Sequence, residues 1–264
     1  MTLSGATRLY MIVGDPIAQV KSPGGMTAGF AARRRDAILV PAQVATADLP
    51  GFLAIAERIK NLDGLIVTVP HKFDAFGHCA ATSDRARFIG AVNIMRRRLA
   101  GGWYGDSVDG LGFIGAVKAR GFDPSGKRAL LLGAGGAGSA IAEAIVAAGV
   151  AELALHDADA ARRDALMAKL ARLGKARITV GSPDPSGFDF VAHATPAGMR
   201  ESDPLAVDVA KLAGTTFVGC VITQPVVSPL VAAARAIGCA TSTGSDMYDA
   251  LQSTMLDFLL APAE

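Results

Sequence analysis

The chain reads as an α/β protein of two domains, and three observations predict this. Short apolar runs alternate with helix-period segments almost throughout, the pattern of parallel sheets covered by helices. A short apolar strand over 129–132 runs into the turn Gly133-Ala134-Gly135-Gly136-Ala137-Gly138, and that turn runs into a helical segment. The turn begins only near residue 130, about halfway along the chain, so the first ~110 residues are enough for a separate domain.

Each element follows from its pattern. Strands are expected over 9–13, 37–40 and 65–69, the last rich in β-branched residues and ended by Pro70. Helices are expected over 23–34 and 49–60. A hairpin is expected from strands over 91–95 and 103–105, turning at Gly101-Gly102. A helix over 111–119 leads to the glycine turn and its helix. Strands over 152–157, 177–180, 188–193 and 217–221 then alternate with helices over 160–173, 229–237 and 245–260. The expected fold is an N-terminal α/β domain over 1–109 and a Rossmann-type doubly wound parallel sheet over 110–244, with a cleft between them.

Composition narrows the function. The 264 residues carry 26 Lys+Arg against 24 Asp+Glu, a net charge of +2, which gives no electrostatic case for nucleic acid. The runs Arg33-Arg34-Arg35 and Arg96-Arg97-Arg98 read as solvated ends of elements. Three widely spaced cysteines, Cys79, Cys220 and Cys239, make neither a disulfide framework nor a metal-ligand spacing; reduced thiols in the cytoplasm, and no metal, are expected. The chain has no uncharged apolar run of about 18 residues and no basic-then-apolar leader pattern, so neither a membrane span nor a signal peptide is expected.

Gly133, Gly135 and Gly138 fit the dinucleotide fingerprint G-x-G-x-x-G. The first glycine permits the tight turn, the second lets backbone approach a pyrophosphate, and the third lets helix and strand pack closely. The helix N-terminus adds N–H donors and partial positive charge. Asp157 lies 19 residues after Gly138 at the end of the next strand. An acid near that ~20-residue spacing accepts hydrogen bonds from ribose hydroxyls and repels a 2′-phosphate, which favours NAD. Arg162 and Arg163, within reach of a phosphate, keep NADP possible. Asp157 also reads as a cap of the following helix, with Asp159 as its rival.

Ligands in open parallel sheets bind outside the carboxyl ends of strands. In the first domain those ends deliver Gly14-Asp15-Pro16-Ile17, then Pro70-His71-Lys72, and the hairpin delivers Gly105-Asp106-Ser107-Val108-Asp109. Lys72 and Asp109 are therefore candidates for an acid/base pair interconverting an alcohol and a ketone while hydride moves at carbon. On spacing alone Lys72 also reads as a surface lysine and Asp109 as a helix cap.

Several short motifs, in order along nearly the whole chain, resemble the shikimate dehydrogenase family. They are Gly14-Asp15-Pro16-Ile17-Ala18 with Lys21-Ser22-Pro23, then Val67-Thr68-Val69-Pro70-His71-Lys72, Gly90-Ala91-Val92-Asn93, and Gly105-Asp106 with Asp109-Gly110. The glycine turn, Ala194-Thr195-Pro196-Ala197-Gly198-Met199, and Gly244 with Met247 and Gln252 complete the set. The resemblance implies that Lys72 and Asp109 are catalytic, and that Ser22, Thr68, Asn93 and Gln252 hold the hydroxyls and carboxylate of a cyclic polyol acid. It implies that Ala194, Thr195, Met199 and Gly244 border the dinucleotide with Gly133–Gly138. It implies a last helix, 245–264, packing back on the first domain, a role in aromatic amino acid biosynthesis, and a monomer or homodimer with no nucleic-acid or membrane partner.

Departures from the family pattern imply a divergent member. Gln19-Val20 stand where His-Ser is common, Ile66 replaces a common Asn, Met26 a histidine and Val108 a threonine. Gly219-Cys220-Val221-Ile222 stand where Asp-x-x-Tyr is common, and His193 replaces an Asn. Loss of hydroxyl-binding groups discriminates strongly, which points to a less polar ring than shikimate. Asp157 stands where NADP-using members have an arginine, again favouring NAD. The expectation is an NAD(P)-dependent oxidoreductase of the shikimate/quinate type. The alternatives are a methylenetetrahydrofolate dehydrogenase-like enzyme and a nucleotide-binding sensor with a decayed substrate site. His193, His71, Trp103 and Tyr104 are expected to be hydrogen-bonding or packing residues.

Overall fold

The computed structural model describes residues 3–200 and 202–262. The chain forms two compact units: residues up to Val108 together with those from Gln252 onward, and Asp109–Leu251.

The first unit contains β1 (Arg8–Gly14), α1 (Ser22–Ala32), β2 (Ala37–Gln43), α2 (Leu49–Ala56), β3 (Leu62–Val67), α3 (Lys72–Gly77), β4 (Ala81–Thr82), α4 (Asp84–Ile89), β5 (Ile94–Arg97) and β6 (Trp103–Asp106). Its sheet runs β2-β1-β3-β5-β6-β4. β1 is parallel to β2 and β3, whereas β5 is antiparallel to β3 and β6. The sheet is thus mixed: the hairpin turn reverses the chain, with Gly101 and Gly102 both at positive φ, open to glycine. Val13, Leu49, Leu53, Leu62, Leu65, Val67, Met95 and Trp103 form a shared core.

Several elements differ from expectation. α2 stops at Ala56 instead of continuing to residue 60 because Arg97 takes carbonyls that a longer helix would use. Its Nη1 donates to Glu57 O (2.8 Å) and its Nη2 to Ala56 O (3.1 Å), and further bonds reach Leu62 and Ile59. Arg96 is buried, bonded to Pro262 O (2.6 Å) and lying over Tyr104 and Phe258. These two arginines are therefore structural cross-links, not solvated ends. β3 starts earlier and stops two residues sooner than expected, because Thr68–Pro70 turn away to begin α3. Neither α3 nor α4 was expected. α4 does carry a local signal: Ser83 caps it by accepting from Ala86 N (3.2 Å), and Gly90 closes it at φ 78°.

The second unit contains α5 (Asp109–Ala119), β7 (Arg128–Leu132), α6 (Gly136–Ala147), β8 (Glu152–His156), α7 (Ala160–Ala171), β9 (Arg177–Val180), β10 (Phe190–His193), β11 (Phe217–Cys220), α8 (Pro229–Ile237), β12 (Thr241–Ser242) and the first part of α9 (Gly244–Leu260). All of its strands are parallel, in the order β12-β11-β10-β7-β8-β9. That is the doubly wound order, whose direction reverses between β7 and β10, where such sheets place ligands. The unit boundary falls inside α9, between Leu251 and Gln252, rather than before it at residue 244. Among the described residues no helix is long and apolar enough to cross a membrane.

Candidate active site

In the first unit the carboxyl ends of β1 and β3 are laced together. Thr68 N donates to Val13 O (2.9 Å), and Asp15 N donates to Val69 O (3.0 Å). The approach is so close that a Cβ on Gly14 would sit 2.4 Å from Thr68 Cγ2. Lys72 is the first residue of α3, and its carbonyl accepts from Val92 N (2.9 Å). Next to Val92, Asn93 is buried and bonded three ways. Its O accepts from Val67 N (2.8 Å), its N donates to Asp106 O (2.9 Å), and its Oδ1 accepts from Val108 N (2.8 Å). Lys72, Asn93 and the 106–108 segment thus belong to one hydrogen-bonded web. Ser22 is buried at the first turn of α1, and Gln252 Nε2 donates to Gly25 O (2.6 Å) in that helix. The amide of Gln252 therefore ties α9 to α1, with Oε1 its remaining acceptor. His71, fully buried, bonds through Nε2 to Val44 O (2.8 Å), a structural turn residue.

The substituted family positions are of two kinds. Met26 and Val108 are wholly buried and Ile66 nearly so, whereas Gln19 and Val20 keep solvent access. A cavity of about 500 Å³ lies at the opposite end of this sheet, bordered by Arg8, Arg34, Arg35 and Asp63, away from the strand ends just described.

In the second unit, Asp109 is buried at the start of α5. Gly133 has φ +102°, and a Cβ on Gly138 would lie 2.0 Å from Gly133 O. Those two glycines let α6 start against the end of β7. A Cβ on Gly135 would meet nothing within 4 Å. The first intrahelical bond in this turn is Ser139 N to Gly135 O (2.8 Å), so the N–H groups of Gly136, Ala137 and Gly138 have no intrahelical acceptor. An open space, free N–H donors and a helix N-terminus are what a pyrophosphate requires, so a dinucleotide fits these residues.

Asp157 closes the loop from behind. It accepts from Ala134 N (2.6 Å), Asp159 N (2.8 Å) and Arg162 Nη2 (2.7 Å). Burial alone would raise this carboxyl; the hydrogen bonds, led by Arg162, outweigh it and hold Asp157 below the usual carboxylate range. Asp159, not Asp157, caps α7 by accepting from Arg162 N (3.1 Å). The arginine on the carboxylate was foreseen only as a phosphate-reaching side chain; its spacing of five from Asp157 sets it on the first turn of α7.

At the other side of the loop, a Cβ on Gly133 would lie 2.8 Å from Ala194 O and 3.0 Å from Thr195 Cγ2. Met199 is exposed. Gly244 packs against the end of β11, where a Cβ would sit 2.4 Å from Val221 O. His193 is fully buried, with Nε2 2.6 Å from Thr195 Oγ1 and Nδ1 3.3 Å from Cys220 Sγ. Burial pushes its pKa down to about 4, so it is neutral. Sequence reasoning missed its partner Cys220, which only strand pairing brings near, and Ser228 at the N-cap of α8, which bonds Cys220 in turn.

A sequence profile for the shikimate dehydrogenase substrate binding domain matches residues 12–95. The shikimate dehydrogenase (NADP(+)) of Rhodospirillum rubrum is 34% identical over 256 residues, covering 93% of this chain and 89% of that protein. The chain belongs to the shikimate dehydrogenase family. Two solved structures are each 27% identical to this chain. Quinate dehydrogenase from Corynebacterium glutamicum in complex with NAD has a TM-score of 0.84, with 97% of this chain and 95% of that one covered. The ligand-free 5-ketofructose reductase of a Gluconobacter strain has a TM-score of 0.83, with 97% and 94% covered. Likeness at this length does not favour a methylenetetrahydrofolate dehydrogenase or a decayed sensor.

Proposed function

We propose that the chain is an NAD(P)-dependent oxidoreductase that interconverts a ring hydroxyl and a ring ketone on a cyclic hydroxy acid of the shikimate/quinate type. Bound nicotinamide supplies the hydride acceptor or donor at the carbinol carbon. Lys72 Nζ takes the hydroxyl proton during oxidation and returns it during reduction. Asp109 is the second member of the acid/base pair, and overall one alcohol and one oxidised nucleotide give one ketone, one reduced nucleotide and one proton. Ser22, Thr68, Asn93 and Gln252 orient the ring. Val20, where a hydroxyl is common in the family, favours a ring acid with fewer polar groups than shikimate. The relatives' names support both nucleotides: NADP for the Rhodospirillum rubrum enzyme and NAD for the Corynebacterium one.

The observation that carries this reading is the web that ties the Lys72 backbone through Val92 and Asn93 to Val108, the residue before Asp109. The test is Lys72→Met assayed with shikimate, quinate and less hydroxylated ring acids and both nucleotides. Turnover should fall at least 10²-fold, the scale of one acid/base group, while NAD(P)H binding survives. Full turnover in the variant would exclude the mechanism.

A further inference from the structure

We infer that His193 is a positioning residue that turns the Thr195 hydroxyl into a hydrogen-bond donor facing the dinucleotide. This rests on the glycine loop being the dinucleotide site, as proposed above.

Four side chains form a line across the ends of β10, β11 and α8. Ser228 Oγ lies 3.4 Å from Cys220 Sγ; Cys220 Sγ lies 3.3 Å from His193 Nδ1; and His193 Nε2 lies 2.6 Å from Thr195 Oγ1. A neutral imidazole carries one N–H, so a line in which each group donates along it has two directions; letting Ser228 O–H and His193 Nδ1–H both donate to Cys220 Sγ would leave the thiol S–H without an acceptor in the line. In one, Ser228 O–H donates to Cys220 Sγ, Cys220 S–H donates to His193 Nδ1, and His193 Nε2–H donates to Thr195 Oγ1. In the other, every donor is reversed.

The ends of the line decide. Ser228 is the N-cap of α8 and is 1% exposed, and its Oγ already accepts from Val231 N (3.4 Å). In the reversed direction Ser228 would accept from Cys220 as well, leaving its own O–H buried with no acceptor, which is unfavourable. In the forward direction that O–H is satisfied by sulfur. At the far end, Thr195 Oγ1 accepts from Ala197 N (3.2 Å) and from His193. With both bonds accepted, the Thr195 O–H remains to donate. Thr195 is half-buried, and its Cγ2 borders the position a Gly133 Cβ would take. The free donor therefore stands beside the glycine turn, suited to an acceptor oxygen of the nucleotide. An imidazole, longer than the asparagine common in the family at this position, reaches both neighbours and so carries the direction from α8 to the loop.

The tautomer is read directly by ¹⁵N chemical shifts of the imidazole in the full-length protein, with no ligand added. A ring protonated at Nε2 is expected; a ring protonated at Nδ1 overturns the inference. The functional arm measures NAD(P)H dissociation constants and the kcat and KM for the ring acid. Thr195→Val should weaken NAD(P)H about tenfold, the scale of one hydrogen bond. His193→Leu should weaken it similarly, and His193→Gln, whose amide N–H reaches like Nε2–H, should restore most of it; KM for the ring acid should stay unchanged in all three. Unchanged NAD(P)H affinity in both Thr195→Val and His193→Leu refutes the inference. Absence of NAD(P)H binding in the wild-type protein refutes the proposed function instead. Should His193→Leu not fold, the tautomer and Thr195→Val decide alone.

Discussion

Gly135 and Gly138 separate the demands of the fold from those of the ligand. At Gly135 the backbone has φ −69° and ψ −171°, which alanine adopts freely, and its Cβ would meet no protein atom within 4 Å. Gly135→Ala gains about 0.4–1 kcal/mol from a less flexible unfolded chain. It loses a comparable amount because alanine is a poorer N-cap. The melting temperature should therefore change little. The added methyl, however, fills the space through which a pyrophosphate meets the N–H groups of α6. Loss of one or two charge-assisted bonds, at roughly 1.5–3 kcal/mol each, should weaken NAD(P)H at least tenfold. Gly138→Ala is the contrast. Its Cβ would lie 2.0 Å from Gly133 O, so α6 must retreat by about 1 Å, and the cost is on the order of 1–3 kcal/mol of stability. Calorimetry with and without NAD(P)H measures both terms for both variants. A Gly135→Ala protein that binds NAD(P)H like the wild type would refute the assignment of this turn.

Three further outcomes follow from particular contacts. Arg162→Gln removes the cation from the Asp157 carboxylate and should shift the kcat/KM ratio towards NAD by several-fold; a shift towards NADP would show that the arginine does not offset that charge. His193 is held neutral with a pKa about 4, below the ordinary value of 6.5, so its contribution to stability is full above pH 6.5 and declines as pH falls to 4. The loss is roughly 3 kcal/mol at most, and His193→Gln should flatten that part of the melting-temperature profile. Asn93→Leu leaves the buried Val108 N–H without an acceptor and should cost about 1–3 kcal/mol, whereas Asn93→Asp, which keeps the acceptor, should unfold at a higher temperature than Asn93→Leu.

The parts of the fold readable in the sequence are those governed by local physics. The glycine turn announced itself because its backbone forces glycine at Gly133 and Gly138 whatever the side chains around it. The apolar runs of β7, β8, β10 and β11 were legible because a central parallel strand is buried on both faces. Less legible were features created by distant partners. No local pattern tells where α2 ends, because Arg97, about forty residues later, takes its last carbonyls. The buried Arg96 read as a surface charge because its aromatic partners, Tyr104 and Phe258, lie on another strand and on the last helix. At the site, the place of Asp157 beside the glycine turn was legible from spacing, while the Ser228–Cys220–His193–Thr195 line was not, since strand pairing sets His193 beside Cys220 and the start of α8 brings Ser228 to it.

The split inside α9 has a consequence for how the chain is made. Residues after Leu251 supply Gln252 to Gly25, Leu256 against Gly29, Ser253 and Asp257 to Arg33, and Pro262 to Arg96. All of these grip residues that are made before the 109–251 segment. That part must wait, with one side of α1 and the Tyr104 face uncovered, until residues 252–262 have been made, whereas the uninterrupted 109–251 segment is complete before then. Of the two units, the one begun earlier is thus the later to mature, and a nascent chain stalled before residue 252 would display apolar surface there to chaperones.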